Sequence, residues 1–496
     1  MSLRKINLPS LNLPTLDTIT LPEAVKGLIK ILKLEKNDVY IIGGFVRDLL
    51  LKRKSYDLDF IVVNKDSLEL TSNLASELNG SWFVLDDETK TTRLVLKDEN
   101  SLKYTFDFTP VSDALLENDF ARRDFTVNTF AINLKNPDFV EDRFSAFDDL
   151  KEKILIRAVD LKNLLDDPIR FLRAFRFSAI LNGAIESKTY DFIKDNLTYF
   201  NEEIASERIA SELWKIFDYD LSFKTIIKIS DSGLLEKIFP ELSPMRKVPP
   251  NIYHHLWLYD HSLELVKTCE EKFVSVPDWV ANELLEQFSS AESPRKIGIV
   301  KFACMLHDLG KPGTWEIKKI NGEEKHTFYG HDKLGEEITA TICERLKLSN
   351  SIRDSAKKLV RYHLRPFQLS QNNAPITERA LYRFFRDTDS DTIMLLMLAM
   401  ADLYATVGPK VTDSDLKTGE KLILYLFEEY RKYRTETEET ASKPKLLDGN
   451  EIMKITGLKP SPEIGLILKD LDEAIAVGEI KTKEQAIHWL KEKIGK

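Results

Sequence analysis

YIIGGFVRDLLLKRKSYDLDFIVV, residues 40–63, sets two short apolar runs on either side of a Gly-Gly pair and a charged segment. The runs before Gly43 and after Asp57 have the length and β-branched content of strands, and FVRDLLL between them reads as a helix. Glycine at 43 and 44, at a strand-to-helix junction, suits a tight turn or a backbone that lets phosphate oxygens approach its N–H groups. The pair alone fits either. On the second strand Asp57 and Asp59 are two apart, so their carboxylates share a face while Leu58 and Phe60 point the other way. Two carboxylates on one face repel unless a cation lies between them. Magnesium, a hard ion that takes oxygen ligands, meets that need; an acidic strand entry at the surface is the alternative.

The same short-period pattern continues in SWFVLDD, TTRLVLKD and KYTFDFTP, with a second helix near 68–78. These segments predict a mixed sheet. Asp107, in TFDFTP, is either a third carboxylate of the site or a solvated strand residue. The first 22 residues, with prolines at 9, 14 and 22, read as an arm leading into a helix. After about Phe120 the period becomes helical, as in DPIRFLRAFRFSAIL and ASERIASELWKIF. The proline-containing stretch 239–255 reads as a boundary, and ETEETASKPK (436–445) as a linker or exposed loop. The fold class expected is α+β: an N-terminal mixed-sheet domain followed by mostly α-helical segments.

At 496 residues the chain is long enough for about two to four domains. A net charge of −9 argues against indiscriminate coating of nucleic acid but leaves room for a local basic surface. No segment approaches the roughly 20 apolar residues of a membrane span, and no signal-like apolar run follows the start. Three cysteines, Cys269, Cys304 and Cys343, are too dispersed for a disulfide framework or a cysteine zinc site. A cytoplasmic setting without a membrane partner is expected.

Two further groups of residues carry chemistry. Arg122, Arg123 and Asp124 in FARRDFTVN offer forked guanidinium donors suited to triphosphate or ribose, or a charged helix cap. In DDPIRFLRAFRF, Asp167 before Pro168 is a helix-start signature. Asp167 and Arg170 are also three apart and can share a helix face, where they would pair with a donor and acceptor edge of a base; spacing does not choose between cap and base reader. In the C-terminal half, His261, His307, Asp308, His331, His363 and Asp402 fall on successive helical segments, with ligand types suited to transition metals.

GGFVRD, DLD, RRDFTVN, DDPIRFLRAFRF and ASERI, in this order, resemble class II tRNA nucleotidyltransferases and bacterial poly(A) polymerases. The resemblance implies a palm-like nucleotidyltransferase domain at 23–150, a helical neck and body at 151–250, an HD domain at 251–410 and an RNA-binding tail at 411–496. It implies Gly43, Gly44, Arg47, Asp48, Asp57 and Asp59 as the metal and triphosphate site, with magnesium, and CTP and ATP as substrates. It places Arg122, Arg123, Asp124 and Asn128 at the nucleotide sugar, and Asp166, Asp167 and Arg170 as a protein template for the base. The partner implied is the 3′ end of tRNA. Two departures stand out: Asp166 replaces a glutamate, and VEDRFSAFDDL keeps Asp142 and Asp149 of a hinge but not its glycines.

The segment from His261 to Asp402 resembles HD phosphohydrolases. His261, His307, Asp308 and Asp402 match their core ligands for a divalent metal, and His331 and His363 match histidines of some members. The tail resembles that of HD-bearing members, and Lys454, Lys459, Lys469, Lys481 and Lys483 are either RNA-backbone contacts or a solvated face. The activity expected is CCA addition to tRNA, with A-adding, CC-adding and poly(A) synthesis as near alternatives. Phosphohydrolysis as the main activity, or RNA binding without catalysis, are the distant ones.

Overall fold

The computed structural model describes residues 3–56, 58–98, 102–151, 154–290, 293–320, 323–370, 375–441 and 445–493. Asp57 and residues 442–444 of the expected linker lie outside the described residues. The chain forms two compact units, Met1–Ala205 with Lys228–Lys237, and Ser206–Ile227 with Ile238–Lys496.

The first unit is built on an eight-stranded mixed sheet. Its strands are β1 (Arg4–Asn7), β2 (Val39–Ile42), β3 (Leu58–Val63), β4 (Ser81–Asp86), β5 (Thr91–Lys97), β6 (Lys103–Val111), β7 (Ala131–Asn133) and β8 (Phe139–Asp142), in the order β1-β8-β7-β2-β3-β6-β5-β4. All five strands expected between Val39 and Thr109 are present. The arm, by contrast, contains β1, paired antiparallel with β8. RKIN is too short and too charged to show a period, and its partner lies more than a hundred residues away. β7 and β8 likewise interrupt the helical run expected after Phe120, because runs this short carry no usable periodicity.

Alternation divides the sheet's two faces. Leu58, Phe60 and Val62 pack with Phe106 and Phe108 beneath α1 (Glu23–Leu32) and α3 (Ser67–Glu77). Phe60 stacks on Phe108 with centroids 4.8 Å apart, and burying such a side chain stabilises by roughly 1.5–3 kcal/mol. Tyr40, Ile42, Ile61 and Val63 pack on the other face with Phe120. β3 and β6 run parallel with Asp59 opposite Asp107, and the same row continues to Ile42 on one side and Arg93 on the other. The expected helix after Gly43 is α2 (Gly44–Leu50). Around the sheet lie α4 (Leu116–Ala121), α5 (Ala146–Lys151), α6 (Lys162–Asp166) and α7 (Ile169–Ile180), the last anchored by fully buried Phe171, Leu172 and Phe175.

The second unit is predominantly helical. Helices Leu258–Lys272, Lys296–Leu306 and Thr392–Ala405 pack together. A hairpin, Glu316–Ile320 with Glu323–Thr327, departs from the all-helical expectation; the Asn-Gly dipeptide between its strands is a hairpin signal. The helix Asp413–Ala441 runs into the segment expected to be a linker. Beyond it, Leu447, Ile452, Ile464 and Leu471 form a separate small core. Buried Glu473 joins this end to the helix Glu378–Thr388 by accepting Arg383 at 2.7 Å, Arg379 at 3.2 Å and Arg386 at 3.4 Å.

Asp218 illustrates a cost in this unit. Burial pushes its carboxyl up to about 6, against the Arg295 N–H it accepts at 3.0 Å and the charges of Arg295 and Lys301. The folded state then binds more protons than the unfolded one between about pH 4 and 6, so stability falls as pH rises through that window. Asp218→Asn keeps the acceptor and removes the charge. It should gain on the order of 1–2 kcal/mol at pH 7.5, after allowance for solvent screening. Thermal melting at pH 7.5 and pH 4 checks this: the gain should vanish at the lower pH.

Candidate functional site

At the end of β2 the chain turns at Gly43 with φ +74° and ψ −132°, a region used almost only by glycine. The Gly43 N–H donates to Phe130 O at 3.0 Å. A Cβ at Gly43 would stand 3.7 Å from Arg123 Nη1 and 3.8 Å from both Asp59 Oδ2 and Asn128 O. Turn, acidic strand and arginine loop therefore meet at one point. Asp107 stands beside Asp59 in the sheet, and Arg93 Nε and Nη2 donate to its two oxygens at 2.7 Å each. The expected third carboxylate thus reaches the site's row with its charge already matched.

Behind the turn runs a chain of buried polar contacts. Arg47, 7% exposed, donates from Nε to Asp48 Oδ1 at 2.9 Å and from Nη1 to Asn128 Oδ1 at 2.8 Å. Asn128 Nδ2 donates to Asp124 Oδ1 at 3.0 Å, an oxygen that also accepts the Phe125 N–H at 2.7 Å. Burial pushes the Asp124 carboxyl upward, but Arg173 and these hydrogen bonds outweigh it and hold it below the usual range. Arg122 and Arg123 both pair with Asp119, at 2.6 and 3.3 Å, and Arg122 extends toward solvent with 62% of its side chain exposed.

At the entry of α7, Asp167 has non-helical dihedrals (φ −145°, ψ 87°) and Pro168 is already helical (φ −65°, ψ −14°), so Asp167 stands at the helix start as the spacing suggests. Asp167 Oδ2 lies 3.8 Å from Arg170 Nε, and Arg170 Nη1 donates to Arg122 O at 3.0 Å and Asn163 O at 2.9 Å. The pair is therefore side by side and tied to the arginine loop. In the segment 140–150, expected to be a hinge, Asp142 accepts the N–H groups of Ala146 at 2.9 Å and Phe147 at 3.0 Å, and Asp149 accepts from Thr126 Oγ1 at 2.6 Å and Arg157 Nη2 at 2.9 Å. Ser145 takes φ +56° there, so the left-handed turn persists without glycine.

In the second unit all six expected ligands converge. Nδ1 of His307, His331 and His363 donates to Cys304 O, Phe328 O and Val360 O at 2.8, 2.7 and 2.7 Å. That fixes the tautomer and turns each Nε2 lone pair inward. His307 Nε2 lies 3.0 Å from Asp308 Oδ2, and His261 Nε2 lies 3.5 Å from Asp402 Oδ1. His331 and His363 approach Asp308 Oδ1 at 3.5 and 3.8 Å and each other at 3.3 Å. Asp308 is thus shared between two ligand groups. Two inward lone pairs at 3.3 Å, beside the buried Nε2 atoms of His261 and His307 and the buried carboxylate of Asp308, form a donor set that suits divalent cations. Burial brings His363 down to about 4, in the neutral form a ligand needs. Burial also opposes charge on His307 and on Asp308, but their mutual attraction raises His307 and holds Asp308 well below the carboxylate range.

Residues 39–156 match the poly(A) polymerase head domain, 184–246 a probable RNA and SrmB-binding site of polymerase A, and 258–405 the HD domain. An A-adding tRNA nucleotidyltransferase of Deinococcus radiodurans is 31% identical over 450 residues, covering 90% of this chain and 93% of its own. The chain belongs to the tRNA nucleotidyltransferase family. A CC-adding tRNA nucleotidyltransferase of Thermus thermophilus is 28% identical over 457 residues, covering 91% of this chain and 93% of its own. The apo structure of a CCA-adding enzyme superposes with a TM-score of 0.63 at 20% identity, over 99% of this chain and 97% of that one, which establishes the shared fold.

Within this nucleotidyltransferase, sequence reasoning missed four residues that the geometry brings forward. Arg93 and Arg173 pair with site carboxylates. Lys311 Nζ lies 2.5 Å from Asp308 Oδ2, and His254 forms a further ligand group with His261 and Asp308. Lys311 follows His307 and Asp308 in HDLGKP, and His254 lies in YHHLW ahead of His261, so both had a local signal. Arg93 had none, because its role depends on strand register. Gly43→Ala should lower kcat/KM for nucleotide addition by about 5- to 150-fold, from backbone strain of about 1–3 kcal/mol at the turn. Steady-state kinetics alongside a melting curve would check this, since a loss confined to melting would mean that the turn serves only the fold.

Proposed function

We propose that this nucleotidyltransferase adds CMP and AMP from CTP and ATP to the 3′ end of tRNA, completing CCA. The observation that carries the reading is the meeting of Asp59, the Gly43 turn and Arg123. Asp57 and Asp59 would hold magnesium, with Asp107 beside them. Carboxylate oxygens suit that ion, and when bound it would polarise the 3′-hydroxyl and the triphosphate. Gly43 and Gly44 allow the phosphates close to the backbone. Arg122 and Arg123 bind the nucleotide, while Arg47, Asp48, Asp124 and Asn128 brace that surface from behind. Asp167 and Arg170 present a carboxylate and a guanidinium to the base edge. We assign these tasks to four domains, 23–150, 151–250, 251–410 and 411–496, in a cytoplasmic setting.

Addition of A alone is the second reading, favoured by the name of the Deinococcus relative and by the replacement of the hinge glycines. The HD centre is proposed as a separate phosphoesterase site. His261, His307, Asp308 and Asp402 would hold one divalent ion and Asp308, His331 and His363 another; bound metal there would activate water against 2′,3′-cyclic phosphates or phosphate monoesters.

The test supplies tRNA transcripts ending before, within and after CC with labelled CTP or ATP and magnesium. Ordered C, C, A addition that stops is the expected result. A alone on a CC end would make it an A-adding enzyme, and long A tails a poly(A) polymerase. Asp59→Ala should lower addition more than about a hundredfold, since a metal ligand contributes several kcal/mol at the transition state. Asp308→Asn should instead abolish hydrolysis of a cyclic phosphate and spare addition.

A further inference from the structure

His254 lies just ahead of the helix Leu258–Lys272, which carries His261, in a segment tied down at several points. The Leu258 N–H donates to Val248 O at 3.1 Å, and the Lys410 N–H to Ile252 O at 3.2 Å. Gly408, in the loop after the helix that carries Asp402, approaches Tyr253 so closely that a Cβ there would stand 2.2 Å from the Tyr253 carbonyl carbon. Within the segment Asn251 Oδ1 accepts the N–H groups of Tyr253 at 2.9 Å and His254 at 3.1 Å. This turn fixes the orientation of the Asn251 amide.

The same oxygen lies 3.3 Å from His254 Nδ1. An amide oxygen only accepts, so Nδ1 carries the proton and Nε2 the lone pair. His307, His331 and His363 are set in the same way, each by an acceptor three residues earlier. His254 shares that brace, with a side chain as its acceptor. Its ring meets that of His261 edge-on, with centroids 4.7 Å apart, and a ligand atom from each of His254, His261 and Asp308 lies within 4.8 Å of the others. His254, His261 and Lys311 line one pocket, and Lys311 Nζ stands 2.5 Å from Asp308 Oδ2, so the carboxylate already draws positive charge on this side. A braced lone pair close to a carboxylate and a second imidazole is repelled by both unless a cation joins them. Filling space would need no such brace.

We propose that His254 is a further ligand of the divalent ion that His261 and Asp308 would hold, on the side that opens to this pocket, and that Asn251 is the positioning residue that aims it. The assignment rests on the reading of the HD centre as a metal site, so the test separates the two.

Full-length wild type and variants would be titrated with cobalt(II), in excess magnesium to fill the strand carboxylates, by equilibrium dialysis and visible absorption. Melting curves in chelator would control for folding. His254→Ala should raise the cobalt Kd at least about tenfold, since even a group behind a ligand contributes that much, and should shift the absorption bands. Asn251→Ala should raise Kd less, and Asn251→Asp, which keeps the acceptor, should restore it. His255→Ala, at the exposed neighbouring residue, should leave Kd and bands unchanged. If wild type and His307→Ala bind cobalt alike, the metal reading of the centre fails and the role of His254 with it. If His307→Ala loses cobalt while His254→Ala keeps Kd within twofold and the bands in place, the proposal alone is overturned. A loss with His255→Ala equal to that with His254→Ala would overturn it too.

Discussion

Asp59 and Asp107 stand opposite each other on neighbouring parallel strands, about 4.8 Å apart in backbone spacing. Like charges held this close repel each other unless a cation stands with them. The first unit is organised around that conflict. Arg93, in the next strand of the same row, forks onto Asp107 and cancels one of the two charges. Asp59 is then the carboxylate that lies against the Gly43 turn and Arg123. A slip of one residue in the pairing of β3 with β6 would send Asp59 and Asp107 to opposite faces, so the register of the sheet is also the register of the site.

The arginines of this unit would be ill-placed if left to their own rotamers, since a long side chain loses much conformational freedom when fixed. Here each is tied. Arg47 reaches Asn128, Asn128 reaches Asp124, and Asp124 holds Arg173, so α2 and α7 are joined through side chains from the arginine loop. Arg170 is fixed by two backbone carbonyls. A surface set in this way would meet a nucleotide with little ordering left to do, which is how preorganised donors improve both binding and selectivity.

The second unit solves a charge problem by the opposite route. Asp308, almost fully buried, has the imidazoles of His261, His307, His331 and His363 and the ammonium of Lys311 around it. Carbonyl acceptors three residues before His307, His331 and His363 aim their lone pairs inward, so the electron-rich atoms converge rather than disperse. Such a centre is costly alone and makes physical sense around cations. Histidine with buried carboxylate is a donor type that favours a different class of ion from carboxylate oxygens alone.

The sequence by itself determined the strands and helices of the Val39–Thr109 region, the helical half and the identity of nearly every polar group in both centres. Those features are local: apolar period, turn glycines, and short motifs such as DLD, RRD and HD. Residues with roles set by distant partners were not legible. β1 acquires its strand from β8, Arg93 its partner from the register of β5 against β6, and Arg173 its setting from Asp124, 49 residues earlier. Asp107 could be either catalytic or solvated when read alone, and only the sheet decided that it pairs with Arg93. Asp167 could be cap or base reader when read alone, and only the packing put its carboxylate 3.8 Å from Arg170, whose guanidinium is tied to the arginine loop. Periodicity reports which face of an element is buried; which charge meets which depends on the packing of elements far apart in the chain, and only the tertiary structure decided that.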